Sequence, residues 1–300
     1  MIDPIESGCS WFIRRIRAEQ LCCLLATFLL LPTRAFAQQL PDWMEHWEFG
    51  VNLEEDDGAD FFIDPIIPLY RHPDSKRVLF LEPRWQFADE THLFNLGGGA
   101  RQLVLNGTWL LGANMFYDYE TSHSHYRLGW GAEALSAFAE LRSNFYLGLS
   151  SERLVEENAG GNTFEKAVDG YDIEAGMPVP YYSRLKLYGG FLWYNFQEFK
   201  NLYGWRLRAE YTPVPFIVIY GLLSNDTKSN ADWGMTVAFR IPLGGNVKTP
   251  LRSPLRLDET FFPESDARTQ LFRLVERHHD IVVERRRQTG SVNVEVSRRN

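Results

Sequence analysis

From Trp109 to Tyr119, large or apolar residues fall at every second position (Trp109, Leu111, Ala113, Met115, Tyr117, Tyr119), and most residues between them are polar or small. That period belongs to a β-strand with one oily face. It returns from Trp233 to Ile241. Around Trp205 it is sharper, with Leu207, Ala209 and Tyr211 alternating against Arg206, Arg208 and Glu210. A soluble, secreted β-sandwich also alternates, with its apolar face inward. Two arginines and a glutamate on the inner side do not suit such a dry core. They suit a strand whose outside touches lipid and whose inside touches water.

The same reading along the chain predicts twelve strands, over 46–53, 59–70, 77–87, 92–104, 108–119, 125–137, 139–150, 170–181, 184–196, 203–212, 216–224 and 231–243. Most have the ~9–11 residues that a tilted strand needs to cross a bilayer. An even number brings both ends of a barrel to one side. The connections sort by parity. Those after even strands are short or proline-marked: Arg71-His72-Pro73-Asp74, Asn106-Gly107, Ala137-Phe138, Tyr182-Ser183 and Thr212-Pro213-Val214-Pro215. Those after odd strands include the acidic Glu54 to Gly58, Glu120 to Ser124, the long 151–169 stretch and Asn225 to Asn230. Short turns on one side and longer polar loops on the other match the periplasmic and extracellular ends of a barrel. A sandwich has no reason to sort its loops this way.

The expected fold is therefore all-β, a twelve-stranded antiparallel transmembrane β-barrel. Its lumen-facing polar residues are read as Arg101, Asn114, Asp118, Arg127, Glu133, Arg142, Arg206, Arg208, Glu210 and Arg240, joined by Asn95, Glu140, Asn144, Asp172, Glu174, Arg184 and Lys186. Mixed signs predict ion pairs across a wet or plugged lumen. Gly97, Gly99, Gly129 and Gly131 fall on the same side and leave room for curvature or for a threaded segment.

The start of the chain adds a compartment. Arg14, Arg15 and Arg17 precede an apolar run from Leu21 to Leu31, and Ala35-Phe36-Ala37 forms a small-x-small site. This predicts a cleaved secretory signal peptide over 1–37, with Ala35 and Ala37 marking the cleavage. The run is too short for a retained helical span. The residues before Cys22 and Cys23 do not make a lipoprotein motif. Cys9, Cys22 and Cys23 are the only cysteines, so the mature chain is expected to hold no disulfide and no cysteine metal site. The net charge is −8, and such an acidic chain is a poor general binder of nucleic acid.

No catalytic constellation emerges, and no cofactor or metal is expected. His123 and His125 lie near Asp118 and Glu120, but their surroundings read as an exposed, solvated loop. His278-His279-Asp280 invites a metal reading on equally thin grounds. The run Glu54 to Asp57 lacks the ligand spacing of a calcium loop. Barrel-embedded hydrolases need a Ser/His/Asp or Asp/His set at the rim, and none assembles.

Residues 244–300 depart from the strand pattern and read as a linker or plug. Gly244-Gly245 ends the barrel (38–243), and Pro250 and Pro254 make an extended linker. Asp266 to Arg277 is predicted as a short helix in or near the lumen, with Leu271, Phe272, Leu274 and Val275 as its apolar positions. Arg277, Arg285, Arg286 and Arg287 are assigned to the lumen or linker. The tail is too polar for another span.

Several ordered motifs resemble the translocator barrel of the intimin and invasin family, the inverse autotransporters. They are Gly112 to Tyr119 (GANMFYDY), Arg127 to Glu133 (RLGWGAE), Tyr146 to Ser150 (YLGLS), Gly170 to Gly176 (GYDIEAG) and Tyr211 to Pro215 (YTPVP). After the barrel, Leu274 to Arg277 and Ile281 to Gln288 resemble the family's segment between barrel and passenger. The similarity runs from about Trp47 to Gln288. It implies an outer-membrane barrel with both ends periplasmic, a following chain drawn outward through the pore, and passenger modules displayed as an adhesin. It also implies folding by the outer-membrane assembly machinery, with outer-membrane lipids as surroundings. Two departures are expected: no peptidoglycan-binding module between Gln38 and the first strand, and no passenger after Gln288. The expected function is anchoring and translocating the C-terminal segment, supporting cell adhesion through loops that would meet host or surface ligands. The alternative is a passive outer-membrane channel or structural barrel with a periplasmic plug.

Overall fold

A computed structural model describes residues 46–54, 59–72, 74, 76–88, 91–158, 160–229, 231–242, 256–262, 266–289 and 292–296. The signal sequence with Ala35 and Ala37, most of the acidic run at 54–57, and the linker at 243–255 lie outside these residues.

The strands are β1 (His46–Glu54), β2 (Ala59–Arg71), β3 (Arg77–Ala88), β4 (Thr91–Val104), β5 (Trp109–Glu120), β6 (His125–Ser136), β7 (Glu140–Gly148) and β8 (Arg153–Asn158). They continue as β9 (Gly161–Ala167), β10 (Asp169–Val179), β11 (Tyr182–Asn195), β12 (Leu202–Val214), β13 (Ile217–Asp226), β14 (Asp232–Pro242), β15 (Val283–Thr289) and β16 (Val292–Glu295). Twelve of them close an antiparallel barrel in the order β1-β14-β13-β12-β11-β10-β7-β6-β5-β4-β3-β2. The closing seam pairs His46 with Pro242 and Glu54 with Gly234, so the two ends of the barrel chain meet at one rim. That rim also carries the tight turns; the long loops occupy the other. Among the described residues no helix is long and apolar enough to cross a membrane, which says nothing of strands.

Alternation sets the two surfaces. On β5, Leu110, Phe116, Asp118 and Glu120 are buried inside, while Leu111, Met115 and Tyr117 are exposed on the outer wall. Met115 stands between Gly98 and Trp130 in register, and Trp130 stacks on Phe145 at 6.1 Å. Met115 and Trp130 are 57% and 42% exposed, an outward apolar face that water would not tolerate as a continuous band but lipid does. Aromatic residues mark both borders, with Tyr70, Trp109 and Tyr181 at the turn rim and Trp85, Tyr203 and Trp233 at the loop rim. Pro68, Pro178 and Pro213 sit where the register shifts, whereas Pro65 and Pro83 stand within unshifted ladders.

Three expectations are corrected. The 151–169 stretch is not a plain polar loop. It folds into the hairpin β8–β9, the platform of a second sheet ordered β16-β15-β9-β8. The predicted helix over 266–277 is a single 3-10 turn, Ala267–Gln270, with Asp266 accepting a hydrogen bond from the Arg268 amide. Leu271 and Phe272 turn once more, the Arg273 amide donating to the Gln270 carbonyl, and beyond them the chain crosses the lumen with no helix or ladder, its hydrogen-bond partners supplied by the barrel wall. The last residues also form strands, β15 pairing Val283 with Ala167 and Gln288 with Asn162.

The tail threads the barrel. At the turn rim, the Asp258 amide donates to the Tyr181 carbonyl, and Gln270 Nε2 donates to the Ser136 carbonyl. Residues 271–280 occupy the lumen, and at the loop rim Val168 N–H donates to the Val282 carbonyl. The described tail thus enters at the turn rim and leaves at the loop rim.

Candidate functional site: a plugged lumen

An extended segment inside a barrel has no helix or sheet to satisfy its own amides and carbonyls, and burial makes that costly. Wall side chains take the role. Arg127 donates to the carbonyls of His278 (2.8 Å), His279 (3.0 Å) and Asp280 (2.7 Å). Arg101 donates to the carbonyls of Leu271 and Arg273, Asn144 to that of Glu276, and Asn95 to that of His279. In the other direction Glu82 accepts from the Val275 amide (3.1 Å) and Tyr146 Oη from the His278 amide (2.9 Å).

The tail answers with two arginines. Arg277 forks onto both oxygens of Asp118 at 2.8 and 2.7 Å, and Asp118 also takes Arg127 (2.8 Å) and Asn95 (2.8 Å). Both side chains of that pair are almost fully buried. Arg273 bonds Glu140 and Glu210, which stand on different strands, and the Tyr188 hydroxyl at 2.9 Å. Gly129 makes the approach possible, since a Cβ there would meet Arg277 Nη2 at 2.8 Å. Below this ionic zone one side of the lumen is apolar. Leu271, Phe272 and Val275 of the tail pack with Ile66, Phe80, Leu103, Leu110 and Leu135 into a hydrophobic collar near the turn rim. A polar-walled cavity of about 200 Å³ remains beside Arg273, bounded by Glu48, Lys186, Glu210 and Arg240.

The residues read from sequence distribute as follows. Arg101 pairs with Glu133 at 2.5 Å, Arg142 with Glu140 at 2.5 Å, and Arg208 with Glu174 at 2.6 Å. Arg206 lies 3.8 Å from Glu174, Arg240 pairs with Glu48 at 3.0 Å, and Asn114 is buried against Gly131. Arg277 is inside the barrel. Arg285, Arg286 and Arg287 are not; they lie on β15 beyond the loop rim, where Arg286 binds Glu152 at 2.7 Å. That hydrogen bond draws the Glu152 carboxyl below its usual range. Glu284, at the exit, accepts the consecutive amides of Gln197, Glu198 and Phe199 at 2.8–2.9 Å.

Sequence reasoning missed Glu82, Arg273 and Tyr146. Arg273 carries a signal, a lone charge inside Leu271-Phe272-Arg273-Leu274-Val275. The histidines are corrected too. His278 and His279 are held in the lumen by their carbonyls, with Tyr194 Oη 3.2 Å from His278 Nδ1. His125 is fully buried and contacts Glu165, so it is no part of a solvated loop.

Comparison with known proteins agrees with this architecture. A family model described as "Inverse autotransporter, beta-domain" matches residues 31–279. Invasin of Yersinia enterocolitica is 24% identical over 272 residues, covering 84% of this chain and 30% of that protein. Inverse autotransporter adhesin YeeJ of Escherichia coli (strain K12) is 30% identical over 161 residues, covering 52% of this chain and 6% of YeeJ. This chain thus spans less than a third of either relative. A solved structure described as "Unveiling the Mechanism Behind the in-meso Crystallization of Membrane Proteins" superposes with a TM-score of 0.67 at 21% identity, covering 80% of this chain and 99% of that one. The barrel's place is the cell outer membrane, with its apolar wall in lipid. With its family model matched across most of its length, the chain belongs to the inverse autotransporter β-domain family.

Proposed function

We propose that this barrel anchors the chain in the outer membrane and translocates its C-terminal segment through the lumen to the cell surface, where that segment supports adhesion. The reading rests on one observation: the segment runs extended from the turn rim to the loop rim, its main chain held by wall side chains. Main-chain contacts make few demands on a passing sequence, which a translocator needs, and the ion pairs of Arg273 and Arg277 add a hold on this stretch once it is in place. The names invasin and adhesin carried by relatives favour a surface role. In this reading residues 1–37 are the leader, 38–243 the barrel and 244–300 the translocated segment. The general outer-membrane assembly machinery inserts the barrel, no catalysis is involved, and loop-rim surfaces meet host or surface ligands.

The test is accessibility on intact cells. An epitope inserted between Thr289 and Val292 should be labelled without permeabilisation, and one in the 72–76 turn only after it. Labelling of both only after permeabilisation would overturn the outward path.

A further inference from the structure

We propose that His123, His125 and Glu165 form a binding site for a divalent transition metal of the zinc class, clipping the β8–β9 hairpin to the barrel's loop rim. The three residues come from two places. His123 is in the β5–β6 turn and His125 opens β6, while Glu165 lies on β9, forty residues away in sequence. Ser124, between the histidines, has a positive φ of 57°, which turns the chain sharply between the two rings. Their ring centres are 6.3 Å apart.

The donor atoms converge. His123 Nδ1 is 3.0 Å and His125 Nε2 is 3.2 Å from the same Glu165 oxygen, Oε2. One ligand atom from each residue lies within 4.8 Å of the others. A tetrahedral ion about 2.0–2.2 Å from its ligands needs them about 3.3–3.6 Å apart, so small side-chain movements suffice. Two imidazoles with one carboxylate suit Zn²⁺, Co²⁺ or Ni²⁺ rather than Ca²⁺ or Mg²⁺, which prefer oxygen alone.

A supporting contact orients the central ligand. Buried Ser150 places its Oγ 3.0 Å from His125 Nδ1. With Nδ1–H donated to Ser150, the Nε2 lone pair faces a carboxylate oxygen. In the metal-bound form that tautomer frees Nε2 for the ion, and second contacts of this kind commonly fix a ligating histidine. Arg285 Nε stands 3.5 Å from the other carboxylate oxygen, Oε1. His123 keeps about a third of its side chain exposed, so an ion and a completing water can reach the site from outside.

The consequence follows from topology. β9 is the strand on which β15 pairs, with Glu165 opposite Arg285. An ion held by His123, His125 and Glu165 ties that platform to the wall, whether or not the tail is exported in cells.

The experiment uses the full chain, tag-free, folded in detergent and stripped with a chelator. Co²⁺ titration should give a visible absorption band saturating at one ion per chain, displaced by Zn²⁺. Affinity should fall at least tenfold in His123→Ala and in Glu165→Gln, and stay unchanged in His72→Ala. Zn²⁺ should also slow proteolytic cutting at the 158–161 hairpin tip in the parent and not in His123→Ala. Heat-modifiable gel migration checks that each variant is folded; His123, the partly exposed ligand, keeps the test open if Glu165→Gln fails to fold. No band, or a band that His123→Ala leaves intact, would overturn the site.

Discussion

Two stretches of the C-terminal region solve one problem in different ways. Residues 271–280 carry almost no regular structure of their own and residues 283–289 form a strand, and a chain out of water must find partners for every amide and carbonyl. Inside the lumen those partners are side chains of the wall, chiefly Arg127, Arg101 and Glu82. Beyond the loop rim they are main-chain groups, as β15 pairs with β9 on one edge and β16 on the other. The two stretches are therefore specified by different parts of the sequence. The lumen stretch is specified by charged residues planted in the barrel and locked by Arg273 and Arg277. The rim stretch is specified by strand register and by Glu284 on three loop amides.

Removing the tail is the change of largest expected effect. A chain ending at Pro242 should still close its barrel, since the wall pairs Asp118 with Arg127 and Asn95 without help. In planar bilayers the parent should be nearly closed and the shortened chain a steady open pore. Equal conductance would mean that residues 271–280 do not block it. Next comes Asp118→Ala. It leaves Arg127 and Arg277 buried without their carboxylate, and breaking a buried pair from one side typically costs about 3–5 kcal/mol. Urea unfolding in detergent should show that loss. Arg127→Lys comes third. An ammonium cannot fork to Asp118 and three carbonyls at once, and losing charge-assisted bonds of this kind costs about 1.5–3 kcal/mol. The same conservative change at Arg286, beyond the rim, should cost under about 1 kcal/mol because that pair is exposed. If the two Lys variants were equally destabilised, the distinction between lumen and rim would fail.

How much was legible from sequence follows the same division. The barrel strands were readable because lipid demands an apolar residue at each outward position, as at Met115, Tyr117 and Trp205. Their ends differ from the sequence reading by a few residues, where bulges at Pro178 and Pro213 shift the register. In the tail, Leu271, Phe272, Leu274 and Val275 fall at helical spacing and predict a helix. What keeps it extended is written in Glu82 and Arg101, some 170 to 190 residues earlier, and local periodicity cannot carry that. The β8–β9 hairpin was missed for a related reason. Gly161–Ala167 alternates Thr163, Glu165 and Ala167 inward, and a polar inward face looks like a loop until its partners are known. His125 sat among Ser122, His123 and Ser124 and read as solvated; its burial comes from Ser150 and Glu165.

The smallest effect lies at the rim and depends on pH. Glu152 is mostly exposed, and its hydrogen bond from Arg286 draws its pKa below the usual range. A carboxylate whose folded pKa lies below its unfolded value of about 4.3 stabilises the fold fully above that value. The stabilisation fades as pH falls through the lower, folded value. Hydrogen exchange at the amides of β8 and β15 should therefore quicken modestly as pH drops from 5 toward 3, after correction for the intrinsic rate. Solvent screening keeps the change well under about 1 kcal/mol. Glu152→Gln should flatten that added dependence and leave the lumen amides of Val275 and His278 unaffected, because their acceptors belong to the wall. A matching change at Val275 would mean that rim and lumen open together, as one unit rather than two.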